Sequence, residues 1–117
     1  MKEYQKTVEF NRLPIGTNNA YYHRNNRRFL KPETKTWKEE IGYSFPQKKD
    51  LKDGRFGVEI MVEMADNRKR DVDSGVKFIL DALSGIVWFD DRQVSEVHIF
   101  KTRTKEHKTI ISVWQII

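Results

Sequence analysis

Two kinds of hydrophobic periodicity alternate along the chain and predict an α+β fold. Residues 55–64 (RFGVEIMVEM) alternate apolar and polar side chains with period two, which indicates a half-buried strand. Apolar residues in the segment 72–83 recur with helical spacing, which predicts an amphipathic helix. With the flanking segments, these patterns predict the order β-α-β-α-β-β, a small mixed sheet with two helices packed on it.

Three further segments favour strands. Residues 94–103 (VSEVHIFKTR) and 107–117 (HKTIISVWQII) are rich in β-branched and aromatic residues. The polar linker 104–107 between them predicts a hairpin turn. The opening residues 3–10 alternate more weakly and also predict a strand.

The first predicted helix follows Pro32 and covers residues 33–45, with Pro46 as its stop. Trp37 and Ile41 fall on one side of it. Gly42 has a low helix propensity and weakens the prediction.

The second helix is predicted more strongly, by one apolar stripe: Val72, Val76, Ile79, Leu80 and Leu83. Asp71 or Asp73 supplies a candidate N-cap, and Gly85 follows the predicted end.

Length and composition bound the class of protein. The chain of 117 residues is expected to form a single domain, residues 1–117. It has no cysteine, which excludes disulfides, thiolate metal ligands and a cysteine nucleophile. No apolar run approaches the length of a membrane span and no signal peptide is visible, so we expect a cytoplasmic protein without membrane contact.

The net charge of +5 is unevenly distributed. Residues 21–35 carry five cations and one acid, Arg68, Lys69 and Arg70 form a second cluster, and residues 101–108 form a third. Such clusters suit phosphate backbones if the fold gathers them. Solvated cations on an ordinary basic protein are the alternative.

Paired carboxylates lie inside the second basic run. Asp71 and Asp73 flank Val72, so in an extended segment both carboxylates point one way while Val72 points into the core. Two neighbouring anions repel unless a cation lies between them. Magnesium, a hard cation that accepts oxygen ligands, is the natural candidate beside phosphate.

A second acidic pair, Asp90 and Asp91, follows the second helix. The five residues 85–89, when extended, can cover about the ~17 Å length of that helix, which permits a site of three aspartates. Lys77 lies one helical turn after Asp73, where it could stabilise phosphate charge or pair with Asp73 or Asp81.

Each of these features has a structural alternative. An Asp-x-Asp sequence before a helix is a common capping arrangement, and Asp90–Asp91 alone favours a turn. The histidines, His23, His98 and His107, have no carboxylate partner at a suggestive spacing. The sum of two acidic pairs, a nearby lysine and a basic lead-in favours a metal-dependent phosphodiester site.

At these residues the sequence resembles a known family. RKRDVDSGVKFILDAL followed by WFDDRQV is similar to the signature of RusA-type Holliday-junction resolvases, and GTNNAYYHRNNRRF resembles that family's Asn-Asn-x-Tyr-Tyr segment. The resemblance covers nearly the whole chain. It implies a small, homodimeric, Mg²⁺-dependent endodeoxyribonuclease, with Mn²⁺ as a possible substitute, that cuts a four-way DNA junction by paired symmetric nicks with a metal-activated water.

The resemblance also implies residue roles. Asp71, Asp73 and Asp91 would bind the metal and act in catalysis with Lys77, and Asp90 is a candidate auxiliary. Ser74 stands where the family usually has Asn. The implied DNA-binding residues are Arg68, Lys69, Arg70, Asn18, Asn19, Tyr21, Arg24, Arg27 and Arg28.

Two points stay open at the level of sequence. Tyr21, Tyr22 and Phe29 could stack on unpaired bases, although Tyr22 and Phe29 fit core anchors slightly better. The alternative functions are a non-catalytic structure-selective nucleic-acid-binding domain and a nuclease with broader specificity for flaps or RNA.

Overall fold

A computed structural model of the chain describes residues 4–16, 20–68, 71–73 and 75–117. The fold is α+β, as predicted, with a four-stranded mixed sheet, a separate two-stranded sheet and two α-helices. In chain order the elements are β1 (Gln5–Phe10), β2 (Tyr21–Arg24), β3 (Arg27–Leu30), α1 (Pro32–Tyr43), β4 (Arg55–Met64), α2 (Val76–Leu83), a short 3-10 helix (Asp91–Gln93), β5 (Val94–Arg103) and β6 (Lys108–Ile116).

The main sheet has the strand order β1-β6-β4-β5, so its most apolar strand, β4, lies between β5 and β6. β4 pairs parallel to β5 and antiparallel to β6. The prediction of a β5–β6 hairpin was therefore wrong. The linker passes around the end of β4 instead, where the Thr104 N–H donates to the Met64 carbonyl at 2.9 Å and the Ala65 N–H donates to His107 Nδ1 at 3.0 Å.

The core lies on one face of this sheet. The period-two pattern of β4 buries Phe56, Val58, Ile60, Val62 and Met64 against both helices. From α1 come Trp37 and Ile41, and α2 contributes Phe78, Ile79 and Leu83.

Gly42 in α1 has a packing role. A Cβ at this position would lie 2.9 Å from the Ala82 carbonyl oxygen of α2. The glycine that weakened the helix prediction therefore allows the two helices to approach closely.

α2 begins later than predicted. Its N-cap is Gly75, with φ 88°, and no side chain caps it, so the expectation that Asp71 or Asp73 fills this position was wrong. Val72 is 48% exposed and does not anchor the core. The reason is that β4 ends at Met64 and residues 71–73 lie in the following loop, not in an extended continuation of the strand.

A β2–β3 hairpin was not predicted. Asn25 and Asn26 adopt φ values of 52° and 61°, which makes them the two central residues of a type I′ turn. The strands joined by this turn carry mostly cationic and aromatic side chains, so they lack the apolar alternation that reveals a strand packed on a core.

Within the described residues, no helix has both the length and the apolar character needed to cross a membrane.

Candidate functional site

The first acidic pair lies beyond the carboxyl end of β4. Asp71 and Asp73 are both exposed. Asp71 lines a shallow depression together with Leu13, Pro14, Val62, Met64, Val72 and Lys101. Lys101 reaches this place because β5 runs parallel to β4 and pairs Val62 with Lys101. Reasoning from the sequence missed this lysine, since the parallel pairing that brings it to Asp71 is a tertiary contact.

Residues 12–14, which precede β2, pack against the start of α2 next to the acidic residues. Pro14 packs against Gly75, where an added Cβ would lie 2.6 Å from the proline Cβ. The backbone next to Pro14 is held by two side chains, with the Trp37 indole N–H donating to the Leu13 carbonyl at 3.0 Å and the Thr109 hydroxyl donating to the Arg12 carbonyl at 2.6 Å. The turn that leads from Asp73 into α2 therefore rests on a buried framework.

Lys77 lies in the first turn of α2 and is exposed. Its Nζ is 3.4 Å from Asp81 Oδ1, and Lys38 of α1 approaches the other Asp81 oxygen at 3.7 Å. Of the two partners considered for Lys77, the structure shows Asp81. The same three residues line a depression with Tyr21 of the hairpin.

Asp91 lies at the opposite end of the sheet from the first acidic pair. Gln93, in the same 3-10 helix, donates through its side chain to the Leu51 and Gly54 carbonyls, just before β4 begins. Lys101 lies seven positions after Val94 in β5, which at ~3.3 Å per residue places the two ends about 23 Å apart. Asp91 and Asp71 therefore belong to different ends of the same sheet.

The segment 84–88 explains this placement. Ser84 and Trp88 form a β-bridge, and the Gly85 N–H donates to the Trp88 carbonyl at 2.8 Å, so the chain turns tightly after α2. The length of residues 85–89 permitted an extended return towards Asp73, but the observed segment is not extended. In the part of the chain that the structure describes, no three histidine, cysteine or acidic residues form a cluster able to hold a metal ion.

Asp90 has a structural role in the observed fold. Its carboxylate accepts from the Arg92 N–H at 2.9 Å and forms a capping box with Gln93 at the start of the 3-10 helix. This backbone hydrogen bond, with a side-chain contact from Arg92, lowers the pKa of Asp90 below its ordinary value. The expectation that this acidic pair shapes a turn agrees with the geometry.

Among the described residues, the cations predicted to bind DNA fall on two surfaces. Arg24, Arg27 and Arg28 are exposed on the β2–β3 hairpin, where the Arg28 guanidinium lies 3.7 Å from the centre of the Tyr21 ring. Arg68 is exposed in the loop before Asp71. The remaining predicted residues of this region, Asn18, Asn19, Lys69, Arg70 and Ser74, lie outside the described residues.

Two histidines differ from expectation because they do have carboxylate partners. His98 Nε2 lies 3.0 Å from Glu96, and His107 Nε2 lies 3.6 Å from Asp66. Asp66 also accepts from the Arg68 N–H at 3.2 Å. His107 thereby connects the β5–β6 linker to the loop that leads towards Asp71, which is a structural contact between the two segments.

Exposed carboxylates close to cations, on a domain with surplus positive charge, are compatible with an enzyme that cuts the phosphodiester backbone. The family model described as Endodeoxyribonuclease RusA matches residues 12–114. The chain belongs to this family of Holliday-junction resolvases and is an endodeoxyribonuclease, a hydrolase. A comparison with curated proteins gave no match.

Proposed function

We propose that the protein is a Mg²⁺-dependent resolvase that cuts four-way DNA junctions by paired symmetric nicks. The observation that carries this proposal is the position of Asp71, which is exposed at the end of β4 and shares a depression with Lys101. An acid that could bind a cation and a lysine that could contact phosphate are thus side by side, in a chain of the resolvase family.

One chain supplies two of the three carboxylates proposed to bind Mg²⁺. Asp71 and Asp73 offer hard carboxylate oxygens, and Mg²⁺ is commonly held by one or two carboxylates together with water and substrate phosphate. When bound, the cation would neutralise phosphate charge and lower the pKa of a coordinated water. Mn²⁺ prefers the same oxygen ligands and is the expected substitute.

Two lysines are candidates to supply positive charge to the phosphate. Lys77 is positioned one turn into α2, and its contact with Asp81 is exposed and weak enough to exchange for a phosphate oxygen. Lys101 approaches from β5. We assign both to the stabilisation of charge on the scissile phosphate, because a cation aimed at developing negative charge lowers the barrier to its formation.

DNA binding is assigned to the cations of the two surfaces described above. Exposed arginines neutralise phosphates and release counterions, which favours binding at low salt. The described residues are Arg68 in the loop before Asp71, and Tyr21, Arg24, Arg27 and Arg28 on the hairpin. The assignment also includes Lys69, Arg70, Asn18 and Asn19, which lie outside the described residues.

Asp91 can complete the site only from a second copy of the chain. Within one chain, about 23 Å of β5 separates the two acidic ends. A two-fold axis perpendicular to the strands reverses strand direction in the second copy and brings its Asp91 end beside the Asp71 end of the first. The proposed homodimer would then contain two composite sites, each with three aspartates, matching the two nicks of a junction.

The open face of the main sheet is the candidate dimer surface. On this face, away from the helices, Ile110, Met61 and Phe100 form a continuous cross-strand row, and Phe100 is 48% exposed. Trp114 lies on the same face, over Gly57. Apolar rows of this kind on a sheet face are covered by sheet-on-sheet packing in stable assemblies.

Cleavage of a synthetic four-way junction tests the proposed function. Wild-type protein should nick opposite strands symmetrically in Mg²⁺ and should stop when the cation is chelated. Asp73→Asn should abolish cleavage while junction binding survives. Asp53→Asn, at an exposed carboxylate that contacts Lys48 at 3.9 Å, is the matched control and should cleave normally.

The same assay separates the alternatives. Duplex, flap and RNA substrates of equal length should be cut far more slowly than the junction. Equal cleavage of the flap or RNA would identify a nuclease of broader specificity, and normal cleavage by Asp73→Asn would overturn the proposed metal site.

A further inference from the structure

The two faces of the β2–β3 hairpin have different surroundings. The strands pair Tyr22 with Phe29 and Arg24 with Arg27, so these four side chains share one face. Tyr21 belongs to the other face and lines the depression that contains Ile15, Phe78 and Lys77. The Tyr21 face therefore rests on the body of the protein, and the Tyr22–Phe29 face is directed outward.

The outward face displays a pair of stacked aromatic rings. The ring centroids of Tyr22 and Phe29 are 5.3 Å apart and the ring planes are inclined by only 23°. Tyr22 is 43% exposed and Phe29 is 38% exposed, so the expectation that they are core anchors was wrong. In the part of the chain that the structure describes, neither ring belongs to the hydrophobic core, although large aromatic rings usually gain stability by burial.

The charge around the two rings favours an anionic partner. Arg24 and Arg27 follow the ring pair on the same face, and Phe29 and both arginines line one surface depression with Asn25. Residues 20–32 contain four cations and no acid. Exposed aromatic rings interleaved with arginines are the combination that binds unpaired nucleic-acid strands, because bases stack on the rings while the cations follow the phosphates.

Local interactions stabilise the conformation of the hairpin. The Asn25–Asn26 type I′ turn matches the twist of the two strands. At its base the Lys31 N–H donates to the Ala20 carbonyl at 3.0 Å, and Pro32 then starts α1. A preorganised element loses little conformational entropy when it binds.

We propose that the Tyr22–Phe29 pair is a stacking platform for unpaired DNA bases. The proposal rests on the proposed function, because a four-way junction opened at its crossover supplies unpaired bases. It adds a second binding element, separate from the acidic loop, that recognises base faces without reading sequence. The opposite face of the hairpin, which carries Tyr21, adjoins Lys77, so the platform belongs to an element that packs beside that lysine while its rings are turned away from it.

The test measures binding of an oligothymidine single strand and of a matched duplex, with the divalent cation chelated. Tyr22→Ala combined with Phe29→Ala should weaken single-strand binding by about tenfold or more, with a much smaller effect on the duplex. Tyr43→Ala is the matched control, because Tyr43 is 79% exposed on α1, and it should change neither affinity.

Two more variants separate stacking from folding. Tyr22→Phe keeps the ring and should bind like wild type, whereas Phe29→Leu keeps an apolar side chain and should still lose affinity for the single strand. A junction with 2-aminopurine at the crossover should show quenched fluorescence with wild type and recover it with the double variant. Single-strand binding by the double variant equal to that of Tyr43→Ala would overturn the proposal.

Chelation makes the two proposals separable. If wild type cuts no junction but the ring variants lose single-strand affinity, the proposed function fails while the stacking platform stands. If wild type resolves junctions and the ring variants bind single strands normally, the platform fails alone.

Discussion

Gly75 and Pro14 are packed so closely that a Cβ on the glycine would lie 2.6 Å from the proline Cβ. Gly75 also has φ 88°, which L side chains rarely adopt. This contact fixes the point where the acidic loop enters α2, between Asp73 and Lys77. The spacing of the proposed catalytic groups therefore depends on a residue that carries no functional group.

Gly75→Ala should destabilise the protein by more than the about 1–3 kcal/mol expected for the unfavourable φ alone, because Pro14 must also move. Urea unfolding measures the loss. The control is Gly85→Ala, since Gly85 has the same φ of 88° but an added Cβ meets no atom within 4 Å. Gly75→Ala should also cleave junctions poorly under conditions in which it is folded. Equal destabilisation by the two substitutions would show that the contact with Pro14 does not matter.

Mixing two inactive variants tests whether Asp91 acts across a dimer. If it does, an Asp71→Asn chain paired with an Asp91→Asn chain has one intact site, and an equal mixture that exchanges subunits freely should recover about a quarter of the wild-type sites. If all three acids act within one chain, no mixed dimer has an intact site. A mixture of Asp71→Asn and Asp73→Asn is the control, because neither arrangement restores a site there. Nicking of one strand per junction measures the outcome.

Lys77→Ala should lower junction cleavage by at least about tenfold while changing the free energy of unfolding by no more than about 0.5 kcal/mol, because exposed i,i+4 ion pairs contribute little. Lys38→Ala removes the other lysine that contacts Asp81 and serves as the control. It should keep most of the cleavage rate. A similar loss in both variants would assign the effect to the charge of the cluster and not to Lys77 itself.

Asp90 should make stability depend on pH in the acidic range. Its pKa in the folded protein is lowered, first by the Arg92 backbone hydrogen bond, so its ionised form favours folding. The contribution is complete above the ordinary value of 3.8 and is lost as the pH falls through the lower folded value. Asp90→Asn should therefore destabilise the protein at about pH 6 and much less at about pH 3. Urea unfolding at both values measures this. A pH-independent difference between variant and wild type would contradict the capping role.

Removal of Arg24 and Arg27 should reduce the salt dependence of junction binding. Each phosphate contact contributes about 0.7–0.9 to the slope of log K against log salt, so the double alanine variant should lose between one and two units of slope. Titrations at several salt concentrations give the slope. Arg12→Ala is a suitable control, since Arg12 contacts Glu40 at 3.4 Å and stacks over Trp37 away from the hairpin. An unchanged slope would remove the hairpin arginines from the DNA interface.

Local pattern was sufficient to predict several elements. The strand Arg55–Met64 occurs with the predicted bounds because its period-two alternation reflects a sheet with one buried face. Val94–Arg103 also has the predicted bounds, which its β-branched and aromatic content indicated. Pairing was not predictable in the same way. The insertion of β4 between β5 and β6 depends on tertiary contacts, and a short polar linker fits a hairpin as well as a path around a strand end.

The candidate site shows the same limit. Asp71, Asp73 and Lys77 are close in sequence, so their neighbourhood could be predicted from spacing. Asp91 could not be placed, because its position depends on the tight turn after α2 and on the hydrogen bonds of Gln93. The hairpin was missed for a different reason, since most of its side chains are exposed and its short strands show no hydrophobic period.

The pairing of β1 with β6 has a consequence for how the protein is made. Gln5 lies opposite Trp114, so β1 finds its partner strand only after β6 has been synthesised, about a hundred residues later in the chain. β4 lies between β5 and β6, so it can form its strand pairs only after both of these strands have been synthesised. Folding of the main sheet is therefore expected to follow the synthesis of β6, and contacts of such long sequence separation predict a slow folder.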